Sequence, residues 1–270
     1  MHDIDPQRVA ALVQEAAETI VLPRFRLLGD GDIQEKRKGD LVTIADLESE
    51  KWLTERLTDL LPGSAVVGEE AVFADPSIMN RLASDGAVWI IDPIDGTWNF
   101  AHGKDAFAII VALRYGGETV MGWICEPALG GMATGERQAG VVIDGNPVDV
   151  AVFPAAGMPL RGTAARYLHE RASGADPGFV AEVFRPSSAG HEYMLLLRDE
   201  RQFSAYTRLL PWDHVAGSFL LTEAGGVSRL LTGAAYNPSQ PVGDLLTTNS
   251  PAFWERLRVS LLPDAAILTD

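Results

Sequence analysis

At 270 residues the chain falls short of two ~150-residue domains placed end to end, so one large domain or two small ones fit. An apolar fraction of 47% with 22% charged residues can bury a substantial core and excludes global disorder. The 22 Lys and Arg against 37 Asp and Glu give a formal charge of −15, which argues against a nucleic-acid polymer or an anionic membrane as partner; an anionic substrate stays open, because divalent cations invert a local field.

From Met1 to Pro6 no basic stretch precedes an apolar one, so no secretory signal is expected. Residues 6–28 place Val9, Leu12, Val13, Ala16, Ile20 and Val21 at three- and four-residue spacings behind Pro6, which predicts an amphipathic helix. Residues 31–40, rich in Gly, Asp and Lys, read as a loop or short hairpin. A second helix is predicted over 46–61, with Leu47, Leu53, Leu57, Leu60 and Leu61 on one side and Pro62-Gly63 as its stop. The period then changes. Residues 65–67 and 88–91 are short, wholly apolar runs bounded by Gly and Asp, the pattern of buried strands. Further strands are predicted over 106–113, 119–125 and 140–143, the last ahead of an Asp144-Gly145 turn. Residues 155–175 are rich in Ala, Gly and Pro and show no clean period. Helical patterning returns near 194–197 and over 213–224, ending at Gly225-Gly226; 226–231 then reads as a strand and 251–261 as a closing helix.

Helices flanking strands throughout, with no internal repeat, give an α/β (α+β) class with layered sheets. The longest apolar runs, such as 107–113, are far below the ~18 residues that cross a bilayer. The single cysteine, Cys125, cannot form an intrachain disulfide. A soluble protein of a reducing, cytoplasmic compartment is expected.

Most of the acids fall on helical surfaces, where water solvates them, but three clusters end strands or open helices. In Val66-Val67-Gly68-Glu69-Glu70 an apolar strand ends in two adjacent acids whose side chains are expected to diverge; an exposed loop pair is the alternative. In Trp89-Ile90-Ile91-Asp92-Pro93-Ile94-Asp95-Gly96-Thr97-Trp98-Asn99-Phe100 an apolar strand delivers Asp92 at its carboxyl end, and Asp95 follows three residues on. Pro93 fixes φ and Gly96 permits a tight turn, so both carboxylates can converge on one point. Convergent carboxylates are costly unless a cation sits between them. Mg²⁺, hard and octahedral, suits such a donor set, with the carbonyl of Ile94 as a further oxygen. A proline turn with an Asp helix cap is the alternative. In Pro211-Trp212-Asp213-His214-Val215-Ala216-Gly217 the acid Asp213 opens an apolar helix, where an N-cap role competes. His214 reads as a bystander, since the five scattered histidines come with no Ser or Cys nucleophile motif.

Together Glu69, Asp92, Asp95 and Asp213, with Glu70 in reserve, offer oxygen enough for two or three divalent ions, the arrangement that serves in-line displacement at phosphorus. The Gly96-Thr97 turn is expected to start a helix whose free N–H groups cradle a phosphate. A water nucleophile still needs an orienting base, and Asp46 is a candidate partner for Thr97 in that role.

These segments, with Asp40-Leu41-Val42-Thr43 and Asp46 upstream and Glu223-Ala224-Gly225-Gly226 downstream, resemble the inositol monophosphatase family of lithium-sensitive, magnesium-dependent phosphomonoesterases. The motifs stand in family order, and the resemblance spans roughly residues 5–260. It implies a layered αβαβα sandwich of the sugar-phosphatase type and a homodimer. An N-terminal α+β half, residues 1–145, would carry most metal ligands, and a C-terminal α/β half, 146–270, would carry Asp213 and substrate contacts. Position by position it implies Glu69, Asp92, the Ile94 carbonyl, Asp95 and Asp213 as Mg²⁺ ligands. Glu70 would help hold the nucleophilic water, Asp46 and Thr97 would activate it, and the Gly96 and Thr97 N–H groups would meet the phosphate. Two positions depart from the family. The run Arg185-Pro186-Ser187-Ser188-Ala189-Gly190 replaces Arg followed by Gly-Ser/Thr-Ala-Ala, and Tyr206 replaces a Glu that binds sugar hydroxyls. Ser188 and Tyr206 are therefore expected to line the pocket of a small phosphorylated substrate.

The expected activity is hydrolysis of a small inositol, sugar or polyol phosphate. A nucleotide 3′-phosphatase or fructose-1,6-bisphosphatase-like activity on the same scaffold, or a non-catalytic cation-dependent binding protein, are the alternatives. No Gly-x-Gly-x-x-Gly follows an early strand, which speaks against a dinucleotide oxidoreductase.

Overall fold

Asp5 accepts a hydrogen bond from the Gln7 N–H and Pro6 takes the first turn of helix α1 (Pro6–Ala16), the start the sequence predicts. The predicted run to residue 28 does not hold. The chain passes into a π-helical turn, Ala17–Val21, and a 3₁₀ turn, Leu22–Arg24, because Pro23 has no N–H and its ring crowds the preceding turn. This computed structural model describes residues 4–29, 31–150, 160–166, 168, 170, 180–183 and 187–261.

The Gly/Lys-rich segment is a hairpin, β1 (Ile33–Arg37) against β2 (Asp40–Thr43). Helix α2 (Ile44–Leu60) begins two residues before its predicted start because Thr43 and Asp46 form a capping box, with the Thr43 N–H donating to Asp46 Oδ2 at 2.8 Å. There follow β3 (Ala65–Gly68), α3 (Glu69–Ala74), β4 (Val88–Asp95), α4 (Thr97–Ala101), β5 (Ala108–Tyr115), β6 (Glu118–Cys125), β7 (Met132–Glu136), β8 (Gly140–Ile143) and β9 (Asn146–Val148). Strands β3 to β9 form one sheet in chain order, with β3 and β4 parallel and every later neighbour antiparallel. The second sheet takes β10 (Leu160–Ala164), β11 (Val180–Val183), β12 (Phe203–Arg208), β13 (Val227–Leu230) and β14 (Val242–Thr248) in the order β11-β10-β12-β14-β13. Helices α5 (Ala189–Leu197), α6 (Pro211–Glu223) and α7 (Pro251–Leu261) complete the described chain. Of the unpatterned stretch 155–175, residues 160–164 form β10; 155–159, 167, 169 and 171–175, like Arg185 and Pro186, lie outside the described residues.

Alternate side chains of β4 define two cores. Trp89 and Ile91 pack with Val9 and Val13 of α1 and with Leu53 and Leu57 of α2. Val88 and Ile90 face the other way, onto Tyr193 and Met194 of α5 and Val215 and Leu220 of α6. A strand buried on both faces needs the continuous apolar run that the sequence shows there. The fully buried rings of Trp89 and Trp123 meet at 6.0 Å, and truncating either to Ala is expected to cost about 3–5 kcal/mol. A third core joins Phe203, Ala205 and Leu246 of the second sheet to Trp254 and Leu257 of α7. The layers are thus α, β, α, β, α, the expected sandwich. No helix among the described residues is long and apolar enough to cross a membrane.

Candidate active site

Asp92 stands opposite Ile110 of β5 and Asp95 opposite Ala108, so three steps along β4 face two along β5. The extra residue is a β-bulge, placed where Pro93 has no N–H to give the ladder. Residues three apart on a regular strand point to opposite faces; one extra residue returns Asp95 to the face of Asp92. The convergence expected of a turn is therefore built inside the strand. Gly96 follows with φ +87°, and a Cβ there would lie 2.9 Å from Ser188 Cβ, so only glycine fits. Helix α4 then starts at Thr97, as predicted.

Asp92, Asp95 and Asp213 each bring a carboxylate oxygen within 4.8 Å of the others. Asp213 lies in the first turn of α6, which begins at Pro211 with Leu210 as its N-cap, so the N-cap alternative for this acid falls away. Asp92 is 1% exposed, and its Oδ1 has no hydrogen-bond partner among the described residues. Asp95 is tied down: Oδ2 accepts from Ser188 Oγ at 2.5 Å and from the Gly190 N–H at 2.7 Å, and Oδ1 from the Ala189 N–H at 3.1 Å. Burial, then the charges of Glu69, Asp95 and Asp213, hold the Asp92 carboxyl far above the usual range. Burial followed by Asp95 and Glu69 does the same to Asp213, with Arg208 opposing. Asp95 is pushed up to about 6 by burial, its hydrogen bonds opposing. Buried carboxylates crowded together, one oxygen without a donor, call for a cation, and an all-oxygen set suits a hard divalent ion. Among the described residues this trio is the group of acids that could hold a metal ion.

Glu69 and Glu70 occupy the first two positions of α3, directly after β3. Their side chains do not diverge. Lys36 of β1 reaches between them, its Nζ 2.7 Å from Glu69 Oε1 and 2.9 Å from Glu70 Oε1. Burial alone would lower the Lys36 pKa, but the two carboxylates outweigh it and leave the ammonium firmly charged. Gly68, the N-cap of α3, offers no side chain, and Glu50 of α2 caps from outside, accepting from the Glu70 and Ala71 N–H groups at 2.8 Å each.

Thr97 Oγ1 lies 3.0 Å from Asp46 Oδ1 and 3.0 Å from the Ile94 carbonyl oxygen. Asp46 is fully buried, and burial pushes its carboxyl up to about 7, with the Thr43 hydrogen bonds opposing and the Glu70 and Glu69 charges adding to the rise. Glu69, Asp92, Ile94, Asp95, Gly96, Thr97 and Asp213 all line one cleft of ≈ 220 Å³. The two residues expected at the substrate have their hydroxyls committed elsewhere: Ser188 to Asp95, and Tyr206 to the buried Glu192. Ser187, one residue earlier, lines the cleft. His214 turns its Nε2 to the Arg208 carbonyl at 3.0 Å and its Nδ1 to the Tyr193 hydroxyl at 3.2 Å, a structural placement that matches the bystander reading.

A sequence model of the inositol monophosphatase family matches residues 5–260. The chain belongs to the inositol monophosphatase family. The inositol-1-monophosphatase of Mycobacterium bovis is 29% identical over 261 residues, covering 86% of this chain and 87% of that protein. A histidinol-phosphatase of Chlorobaculum parvum is 30% identical over 199 residues, 71% of this chain and 73% of that protein. The solved structure of a Thermotoga maritima IMPase superposes with a TM-score of 0.79 at 23% identity, over 94% of this chain and 95% of that one, and so has the same fold. This inositol monophosphatase family member is a phosphoric monoester hydrolase.

Three residues around the cleft and its acids escaped the reading of the sequence: Lys36, Glu50 and Arg208. Lys36 is the first of three consecutive basic residues, Lys36-Arg37-Lys38, just ahead of the Asp40-Leu41-Val42-Thr43 motif, and nothing local singles it out from its neighbours. Glu50 sits on a helix among other acids, and nothing local separates it from a solvated one. Arg208, five residues before Asp213, belongs to a strand that was not predicted.

Proposed function

We propose that the protein is a Mg²⁺-dependent phosphatase of a small phosphate monoester, with Glu69, Asp92, the Ile94 carbonyl, Asp95 and Asp213 as the cation's ligands. The observation that carries the reading is the trio Asp92, Asp95 and Asp213, with Asp92 Oδ1 buried and unpartnered. Bound Mg²⁺ would neutralise these acids, draw charge off the phosphate oxygens and lower the pKa of water.

The remaining work falls to the chain itself. Asp46, held by the Thr43 N–H at 2.8 Å, fixes the Thr97 hydroxyl. With its proton directed to Asp46 or Ile94, Thr97 Oγ1 turns lone pairs to the cleft and accepts from the attacking water, orienting it toward phosphorus. Glu70, pushed up to about 6 by burial and by Glu69, is a second acceptor for that water. The Gly96 and Thr97 N–H groups, free of intrahelical partners at the start of α4, donate to the phosphate. Ser188 acts on the pocket through Asp95, which lines it, while Tyr206 is bonded to the buried Glu192 behind it.

The substrate alcohol is an inositol, sugar or polyol, in keeping with relatives that include an inositol-1-monophosphatase and a histidinol-phosphatase. A homodimer and inhibition by Li⁺ extend the reading on the family resemblance; a division into two halves belongs after β9 rather than at residue 145, because β9 closes the first sheet. A cytoplasmic location rests on the lone, buried Cys125. Phosphate release from a panel of esters, with and without millimolar Mg²⁺, tests the function. Turnover of at least one ester only with the cation supports it, and no release from any ester with Mg²⁺ present overturns it. Sedimentation tests the dimer, and activity at tens of millimolar Li⁺ tests the inhibition.

A further inference from the structure

Among the described residues the cleft is lined by five carboxylates, on Asp40, Glu69, Asp92, Asp95 and Asp213, and by one cationic side chain, Arg208. Cation binding accounts for the acids clustered at Asp92; the guanidinium's charge is felt at Asp213, but it forms no ion pair there. Arg208 ends β12 and is exposed, and among the described residues nothing accepts a hydrogen bond or forms an ion pair with its guanidinium. Its backbone, by contrast, is fixed. The carbonyl accepts from His214 Nε2 at 3.0 Å, and the residue pairs with Val242 on β14. His214 is itself fully buried and packed against the Tyr206 and Tyr193 rings at 4.6 and 6.1 Å. A rigid stem thus presents an uncommitted guanidinium to the substrate cleft.

The two sides of a bound phosphate monoester differ in what they ask of the protein. The scissile phosphate meets the cation and the Gly96 and Thr97 N–H groups. The leaving alcohol lies beyond, and Arg208 offers it a planar fork of donors matched to a carboxylate or a phosphate. We propose that Arg208 is a specificity-determining residue that binds a second anionic group on the leaving alcohol, so that the preferred substrates carry a carboxylate or a second phosphate besides the ester that is cleaved. The inference rests on the phosphatase reading above.

Two matched pairs test it: glycerol 3-phosphate against 3-phosphoglycerate for the carboxylate, and fructose 1-phosphate against fructose 1,6-bisphosphate for the phosphate. The wild-type enzyme is expected to favour the member with the extra anion in at least one pair. Arg208→Ala should cut that kcat/KM preference about ten-fold, the scale of one charge-assisted contact, mainly through KM. Arg208→Lys should restore part of the preference, and added salt should erode it in the wild type more than in Arg208→Ala. Equal losses on both members of each pair would place Arg208 on the scissile phosphate, and an unchanged ratio would leave it no part in recognition; either result overturns the proposal while the phosphatase reading stands. No turnover of any ester with Mg²⁺ would remove the phosphatase reading itself. Arg208 is exposed, so the variants are expected to keep the wild-type Tm, which a thermal melt checks alongside.

Discussion

Thr97 Oγ1 lies 3.0 Å from Asp46 Oδ1, a hydrogen bond between the first turn of α2 and the first residue of α4 across 51 positions of sequence. The other carboxylate oxygen is held by the Thr43 N–H at 2.8 Å and the Thr43 hydroxyl at 2.5 Å, so Asp46 cannot turn away. A pair that only orients water acts on the rate and leaves cation binding alone. Asp46→Asn is expected to lower kcat by about 10²–10⁴-fold, the usual worth of a positioned proton acceptor. Thr97→Ala should fall comparably, Thr97→Ser should keep much of the activity, and the double variant should be little worse than either single one. Steady-state kinetics at several Mg²⁺ concentrations check this; a normal kcat with weakened Mg²⁺ response would move Asp46 into the cation site.

Asp92 predicts opposite effects on stability and on turnover. Its carboxyl is held far above the usual range by burial and by Glu69, Asp95 and Asp213, so as a carboxylate it strains the metal-free fold. Asparagine keeps the shape and removes the charge. Asp92→Asn is therefore expected to raise the metal-free Tm at pH 8 by about 3–6 °C while lowering turnover by about 10³-fold or more. Differential scanning calorimetry after chelation, paired with phosphate release, reads both. A lower Tm would mean that Asp92 is stabilised by a partner rather than waiting for a cation.

The pH dependence follows from the same crowding. Burial comes first in pushing Asp46 up to about 7 and Asp95 and Glu70 up to about 6, whereas unfolded carboxyls titrate near 4. A raised carboxyl favours the fold while protonated: its contribution is complete below about pH 4 and is lost as pH climbs through 6 and 7. The metal-free protein is expected to lose Tm between pH 5 and 8. Mg²⁺ binds the deprotonated acids, so a fixed Mg²⁺ concentration should add more to Tm at pH 8 than at pH 5. A Mg²⁺ effect independent of pH would detach these groups from the cation.

How much of this was legible in the sequence depended on whether a residue's task was local. The apolar run before Asp92 announced a strand buried on both faces, and Pro93 and Gly96 announced an irregular end, so the convergence of Asp92 and Asp95 could be read from one continuous run, Val88 to Gly96. The bulge that produces it could not, because it is defined by the register against Ile110 and Ala108. Strands such as β12 (Phe203–Arg208) and β14 (Val242–Thr248) escaped because Ser, Thr, Arg and Asp interrupt their apolar pattern. Glu69 and Glu70 looked like independent acids, since the Lys36 that joins them comes from another hairpin.

Glu50 gives the last prediction, because its contact with Gly68 links packing to the cation site. A Cβ on Gly68 would lie 2.4 Å from Glu50 Cδ, a distance no side chain tolerates. Glu50 would have to withdraw, freeing the Glu70 and Ala71 N–H groups it now receives at 2.8 Å and letting the start of α3 shift. Gly68→Ala is expected to cost about 1–3 kcal/mol of stability, the worth of buried donors left without an acceptor. Glu50→Gln, which keeps volume and one acceptor oxygen, should cost less. Both should raise the Mg²⁺ concentration for half-maximal activity about three- to ten-fold, since Glu69 rides on the same turn of α3. Mg²⁺ titrations of activity with thermal melts separate the two effects: a loss of stability with an unchanged Mg²⁺ midpoint would show that α3 holds its position without the Glu50 cap.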